Sequence, residues 1–229
     1  MEHGNPIAEE AKRLFDHFVC RLLELGPRSV LDVGTGSGRL LRILRERDIP
    51  CLGVDPLLPD ATEPGMVKGD AAHLPFGDTS FDWLVLRHVP HHLPKLEEAL
   101  AACGRVAKKG VLLSEPWFDG SEEEQRVAER WDLWEKRQHE RAGMLHKPVL
   151  SAGALRRALP LGDFDIETEH YRHHRLIPLD VIEARAKPLL ELLPQGHADR
   201  AEWEAIRRDI QKWGLSYNGT LIMTLRKKL

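Results

Sequence analysis

The sequence predicts an α/β fold: a mostly parallel sheet with helices on both faces. Three observations carry this. Short apolar runs stopped by glycine or aspartate alternate with stretches of helical apolar spacing through the first half of the chain. A glycine-rich turn follows the first such run and opens a helix. The later half keeps the same vocabulary but inserts long charged helical segments between its strands.

Taken in order, residues 6–25 place Ile7, Ala11, Leu14, Phe15, Phe18, Leu22 and Leu25 at helical spacing, and Gly26-Pro27 ends that run. Ser29–Val33 reads as a buried strand, and Gly38–Arg47 as a helix with Leu40, Leu41 and Leu44 inward. Cys51–Val54 is a second strand ending at Asp55, and Met66–Gly69 a weaker third ending at Asp70. Trp83–Leu86 is the fourth, Lys95–Ala107 a helix, and Val111–Ser114 the fifth strand. Ser121-Glu122-Glu123-Glu124 has the form of a capping box opening a helix to about Arg141. Ser151 caps another helix that ends near Pro160. Phe164–Tyr171 is a sixth strand, 179–193 (interrupted by Pro188) and 199–213 are helices, and Tyr217–Leu225 is the final strand.

At 229 residues, with 42% apolar content and no internal repeat or linker, the chain reads as one domain. Residues 28–115 form its core, and 120–150 and 178–213 are helical insertions. No uncharged apolar run approaches 18 residues, so no membrane contact is expected. The N-terminal segment is too charged for a secretory signal. A net charge of -3 argues against a nucleic-acid partner. Cys20, Cys51 and Cys103 are too few and too far apart for a disulfide framework or a zinc ribbon, which points to a reducing cytoplasm. Five of the six tryptophans lie after Pro116, in or beside the insertions, and helix packing is their simplest use.

The chemistry concentrates in Asp32-Val33-Gly34-Thr35-Gly36-Ser37-Gly38, between a strand and a helix. Glycine serves where the backbone turns sharply or a ligand approaches the main chain, and a helix N-terminus favours an anionic group. A P-loop would need Lys and then Ser or Thr after the last glycine, where Arg39 and Leu40 stand. A dinucleotide fingerprint would need glycine at position 39.

This D-x-G-x-G-x-G pattern resembles the first motif of class I S-adenosylmethionine-dependent methyltransferases. Further segments agree in order: Asp55 at the second strand's end, Gly69-Asp70-Ala71-Ala72-His73-Leu74-Pro75-Phe76, Phe81-Asp82-Trp83-Leu84-Val85, His91-His92-Leu93, and Arg105-Val106-Ala107-Lys108-Lys109-Gly110. The combination is similar to the methyltransferase type 11 branch, which includes quinone-biosynthesis enzymes. The likeness covers about residues 28–115. Lys109 stands where the family usually has proline, and only 15 residues separate Asp55 from Asp70, which shortens the intervening helix.

The resemblance implies a Rossmann-like seven-stranded methyltransferase sheet whose last strand is antiparallel and lies between the fifth and sixth. It implies S-adenosyl-L-methionine as cofactor and a small or medium organic acceptor. In that reading Gly34, Thr35 and Gly36 let the backbone meet the methionine and ribose portions. Asp32 anchors the ammonium group, Asp55 accepts from the ribose hydroxyls, and Leu57 covers the adenine face. Asp70 and the Ala71 N–H read the adenine edge, and Arg87 and His88 flank the methyl donor. The insertions at 120–150 and 178–213 would form the acceptor pocket and lid. Two rival readings are a non-catalytic module binding S-adenosylmethionine or S-adenosylhomocysteine, and an NAD-dependent oxidoreductase.

Twelve histidines include a cluster of His88, His91 and His92, a pair of His139 and His146, and a group of His170, His173 and His174. His91 and His92 are the candidate catalytic residues, because imidazole takes a proton near neutral pH. No metal is expected: Pro90 and Pro94 disfavour a helix that would align His88 with His92. A loop-shaping role is favoured over a base, since prolines bracket the pair and buried-type Leu93 follows it.

Overall fold

Residues 6–58, 63–144, 147–159, 164–173 and 175–228 are described by a computed structural model, with side chains from position 9 onward. Pro160, His146 and His174 lie outside the described residues. In chain order the elements are α1 (Pro6–Glu24), β1 (Val30–Val33), α2 (Arg39–Arg45), β2 (Cys51–Asp55), β3 (Met66–Lys68), β4 (Phe81–Arg87), α3 (Leu96–Val106) and β5 (Ala107–Trp117). Then follow α4 (Glu123–Arg141), α5 (Ala152–Ala158), β6 (Phe164–Tyr171), α6 (Leu179–Glu191), α7 (Ala198–Trp213) and β7 (Gly219–Lys227). Short 3-10 turns occur at Ala71–His73 and Pro90–His92.

The seven strands form one sheet in the order β3-β2-β1-β4-β5-β7-β6. The first five pair in parallel, with Asp32 opposite both Gly53 and Val85, Asp55 opposite Lys68, and Arg87 opposite Ser114. The strand order reverses between β1 and β4. Open α/β sheets bind ligands at the carboxyl ends flanking such a switch point. Gly110 abuts the Leu225 carbonyl and Gly219 abuts Trp117, so β7 descends as β5 ascends. The final strand is therefore antiparallel and inserted where the family likeness implies.

Side-chain alternation explains the layering. Val30, Trp83, Val85, Leu112 and Ile222 point to one face, where Phe15, Phe18, Val19 and Leu22 of α1 and Leu40 and Leu44 of α2 cover them. Their neighbours Leu31, Leu84, Leu86, Leu113 and Met223 point to the other face and are also fully buried. Strands buried on both faces need the near-continuous apolar runs seen in the sequence.

The described residues divide into two compact units. The first combines those within 1–115, 150–169 and 221–229, and the second those within 116–149 and 170–220. The second unit has its own aromatic core. The rings of Trp131, Trp134 and Trp203 lie 5.3–5.6 Å apart, and the Trp134 indole N–H donates to the Asp199 carbonyl at 2.9 Å.

Several element ends differ from the sequence reading. The capping box at Ser121 does not form: α4 begins at Glu123, with Glu122 as an N-cap that makes no side-chain bond. Asp119 intercepts Ser121, because its Oδ1 accepts both the Ser121 N–H (3.0 Å) and the hydroxyl (2.6 Å). Ser151 does cap α5, accepting from the Ala154 N–H at 3.1 Å. Strand β5 is 11 residues long, starting directly from α3 at Ala107, and β7 is shifted two residues later than its apolar run suggested. Pro188 is accommodated within α6. Between β2 and β3 the described residues contain no helix.

Candidate active site

The carboxyl ends of β1, β2, β3 and β4 gather the motif residues. Asp32 lies within β1, Asp55 ends β2, Asp70 follows β3 by two residues, and Arg87 ends β4. The glycine loop is held by backbone bonds to β2: the Gly34 and Thr35 N–H groups both donate to the Val54 carbonyl, at 2.7 and 3.2 Å. The Gly36 N–H donates to Asp55 Oδ2 at 2.9 Å. These three amides are thus engaged within the protein, and what the loop offers a ligand is room. Gly34, Gly36 and Gly38 all have positive φ (75°, 56° and 71°), a backbone only glycine adopts freely. A Cβ on Gly36 would meet no protein atom within 4 Å, whereas on Gly34 it would collide with Val89.

Beside the loop is a cleft of about 230 Å³ lined by Phe15 of α1, residues 34–37, Arg39 and Leu40 of α2, Asp32 and Arg87. The guanidinium carbons of Arg39 and Arg87 stand 3.9 and 5.1 Å from the Phe15 ring centroid, a cation–π arrangement. Burial pushes the Asp32 carboxyl up to about 6; Asp55 adds to the rise, and Thr35 and Arg87 oppose it. Burial, and then the neighbouring Arg39 charge, lower the Arg87 pKa, while Asp32 raises it. The cleft thus carries one carboxyl group and two guanidinium groups, a set of charges that complements an amino-acid zwitterion.

Asp55 accepts through both oxygens, from Gly36 as above and from the Leu57 N–H at 2.8 Å. Each oxygen keeps a further lone pair for a diol. Leu57 is 83% exposed, an apolar side chain left uncovered next to this carboxylate. Asp70 caps the turn at Ala71–His73 by accepting from the Ala72 N–H at 2.9 Å. That bond, with His73 nearby, holds the Asp70 carboxyl below its ordinary value. Ala71 is buried behind it.

After β4 the chain turns out at His88, a non-glycine residue with φ 54°, whose N–H donates to the Ser114 carbonyl at 2.9 Å. Val89 packs against Gly34. His91 is 4% exposed, and its Nδ1 lies 2.7 Å from Oε2 of Glu115, a fully buried residue of β5. His92 is exposed, with its ring centroid 4.0 Å from that of His91. Among the described residues no group of three or more His, Cys, Asp or Glu is arranged to hold a metal ion.

The fold therefore brings together Asp32, Gly34, Thr35, Gly36 and Arg87 on one cleft, with Asp55, Leu57, Asp70 and Ala71 along the adjoining strand ends. The two candidate histidines part: one is buried against a carboxylate, the other faces solvent. Sequence reasoning missed Phe15, Arg39 and Glu115. Arg39 stood beside the motif, but it served there only to exclude a P-loop and a dinucleotide fingerprint. Phe15 was one apolar residue among many on α1. Glu115 carried a signal, a charged residue ending an apolar run just before Pro116.

This is the fold and strand-end layout of an α/β nucleotide-type binding domain, and comparison with known proteins makes the class specific. A family model described as a methyltransferase domain matches residues 7–169. The chain belongs to this methyltransferase family, whose cofactor is S-adenosyl-L-methionine. The ajmaline N-methyltransferase of Rauvolfia serpentina is 32% identical over 45% of this chain and 42% of its own. The demethylmenaquinone methyltransferase of Thermotoga maritima is 31% identical over 40% of this chain and 44% of its own. The chain thus spans about two fifths of the length of the curated relatives it matches. A solved S-adenosylmethionine-dependent methyltransferase from Archaeoglobus fulgidus shares the fold, with a TM-score of 0.55, 20% identity, and coverage of 97% of this chain and 93% of that one.

Proposed function

We propose that this chain transfers the methyl group of S-adenosyl-L-methionine to a small or medium organic acceptor. The carrying observation is the cleft beside the glycine loop, lined by Asp32, Arg39 and Arg87, in which the Asp32 carboxyl interacts with the Arg87 guanidinium. The residues present fit the cofactor. Asp32 takes the ammonium group, and Arg39 and Arg87 the carboxylate. The open side of Gly36 admits the ribose, and the spare lone pairs of Asp55 receive its hydroxyls. Leu57 lies on the adenine face, and Asp70 with the Ala71 N–H reads the adenine edge. His88, in its left-handed turn, closes the donor side beside Arg87.

When bound, the cofactor supplies an activated methyl on a sulfonium. The protein supplies alignment and exclusion of water, which suffice for in-line displacement. We assign acceptor recognition to the inserted segments 120–150 and 178–213. They are supported by their own aromatic core and by a cavity of about 80 Å³ bordered by Phe118, Trp131, Asp132, Arg185 and Asn218. A cytoplasmic setting accords with the three free thiols of Cys20, Cys51 and Cys103. Among the described residues no helix is long and apolar enough to cross a membrane.

Calorimetry with S-adenosylmethionine and with NAD tests the cofactor. The expected result is saturable binding of the first, with a raised melting temperature, and none of the second. Binding of NAD alone overturns the reading. Release of S-adenosylhomocysteine in an acceptor screen then distinguishes an enzyme from a binding module.

A further inference from the structure

We propose that the methyl acceptor carries a carboxylate, held by the guanidinium of Arg87 and the hydroxyl of Ser114. This rests on the methyl-transfer reading above and names the class of acceptor. Arg87 ends β4 and borders the cleft of about 230 Å³ beside the glycine loop. Ser114 lies opposite it on β5. Val30, Val85 and Leu112 point to the face that α1 covers. Asp32, Arg87 and Ser114 each stand two residues further along the same strands, so they share that face. They form a row toward the carboxyl ends of β1, β4 and β5.

The half-buried Arg87 guanidinium is underserved by the protein around it. Among the described residues it makes no hydrogen bond and no salt bridge. Its neighbours are the Phe15 ring and the charges of Arg39 and Asp32. An aromatic face attracts a cation but offers no lone pair, so Phe15 leaves the five N–H donors unanswered. Arg39 is exposed, and water serves it. Ser114 shows the same deficit more sharply: it is 1% exposed, and its Oγ has no hydrogen-bond partner. A buried polar group without a partner costs free energy. Neighbouring strands are about 4.8 Å apart, close enough for the two oxygens of one carboxylate to meet both groups.

The cofactor uses only part of Arg87. Its own carboxylate, shared with Arg39, takes two of the five donors in a bidentate fork. Adenine and ribose lie toward β2 and β3 in that reading, so the side of Arg87 left over is the one toward β5 and Ser114. Charge points the same way. The cleft lining carries one carboxyl group and two guanidinium groups. The cofactor's ammonium, carboxylate and sulfonium add a net positive charge. The site therefore stays positive with cofactor bound, even with Asp55 counted. An anionic acceptor offsets that charge, and a cationic one adds to it. Phosphate sites draw on free amides at a helix start. Here the amides of Gly34, Thr35, Gly36 and Gly38 are all engaged within the protein. A guanidinium fork beside a hydroxyl suits a planar carboxylate instead. Oxygens held in this way are poor nucleophiles, so the carboxylate orients the acceptor and another of its atoms takes the methyl.

The test is binding, read by fluorine NMR, of 4-fluorobenzoate, 4-fluorobenzamide and 4-fluorophenyl phosphate. The protein is first saturated with S-adenosylhomocysteine, so that no probe enters the cofactor's own carboxylate site. The benzoate should bind saturably, about tenfold or more tighter than the amide, the usual effect of a charge-assisted pair. It should also bind more tightly than the phosphate. Arg87→Gln should abolish the preference for benzoate over the amide, Arg87→Lys should keep part of it, and Ser114→Ala should reduce it several-fold. The comparison of probes on the wild type needs no variant to fold. No saturable benzoate binding, equal binding of benzoate and amide, tighter binding of the phosphate, or a preference that survives in Arg87→Gln overturns the proposal. Failure of the wild type to bind S-adenosylhomocysteine in calorimetry would instead remove the methyl-transfer reading. The same titrations on the unliganded chain then decide the carboxylate site by the same preference and the same dependence on Arg87.

Discussion

Oδ2 of Asp55 accepts the N–H of Gly36 at 2.9 Å, so the last residue of β2 fastens the glycine loop that follows β1. Its other oxygen accepts the Leu57 N–H at 2.8 Å. One carboxylate thereby shapes the loop on one side and the start of the β2–β3 connection on the other, and still has lone pairs for a ligand. Asp55→Ala should weaken S-adenosylmethionine binding by about 1.5–3 kcal/mol, or roughly 10- to 160-fold, the range for losing charge-assisted hydrogen bonds. Calorimetry on the purified variant checks this. Native affinity in Asp55→Ala would take the residue out of the site.

Gly34 and Val89 form the second close fit. A Cβ on Gly34 collides with a Val89 methyl, and the backbone there has φ 75°. Gly34→Ala should cost about 1–3 kcal/mol for the overpacking, with the left-handed strain added to it. Adding Val89→Ala should return the overpacking share and leave the strain. Urea unfolding of the single and double variants reads this directly. Additivity of the two substitutions would mean that the residues do not meet.

Much of this architecture was legible because it rests on local rules. Val30–Val33 and Trp83–Leu86 are buried on both faces, which calls for the near-continuous apolar runs that they show, broken only by Asp32. Asp32, Asp55 and Asp70 could be placed because each lies at or near the carboxyl end of a strand, where the sheet's topology puts ligands. What escaped the sequence depends on partners distant along the chain. Glu115 gains its meaning from His91, 24 positions earlier, and Phe15 from Arg39 and Arg87. Ser121 was misread as a cap because Asp119, two residues before it, competes for the same hydroxyl. Periodicity reports which face a residue occupies, and it is silent on the neighbour waiting there.

Trp134 is fully buried, stacked on Trp131, and its indole N–H bonds the Asp199 carbonyl at the start of α7. Its position supports packing as the reason for the tryptophan-rich insertions. Trp134→Ala should destabilise by about 3–5 kcal/mol, as for other large aromatic truncations. Trp134→Phe keeps most of the contact and loses the hydrogen bond, so it should cost less, by an amount near the ~1 kcal/mol of one such bond plus a small packing loss. Thermal unfolding followed by near-ultraviolet circular dichroism tests the ranking. Equal stability of the Ala variant and the wild type would show that the aromatic cluster does not hold the unit together.

Asp32 makes the site sensitive to mild acid. Its carboxyl titrates near 6 in the folded chain, against an ordinary value of 3.8, chiefly because it is buried. Between those two values the folded chain holds a proton that the unfolded chain has released. Stability therefore falls as pH rises from about 4 to about 6 and is flat above, by about 3 kcal/mol for a shift of this size. Asp32→Asn should remove that slope. Ligand binding runs the other way. An ammonium group beside Asp32 favours the ionised carboxylate, and an α-amino group, near 8 when free, stays charged throughout this range. Cofactor affinity should rise as pH increases from 5 to 7, by up to about tenfold per unit below 6, and then level off. At pH 6 binding should release about half a proton, visible as a dependence of the calorimetric enthalpy on the buffer's ionisation enthalpy. Affinity that is flat from pH 5 to 7, with no proton release, would separate Asp32 from the ammonium group and require the cofactor's amino-acid end to lie elsewhere in the cleft.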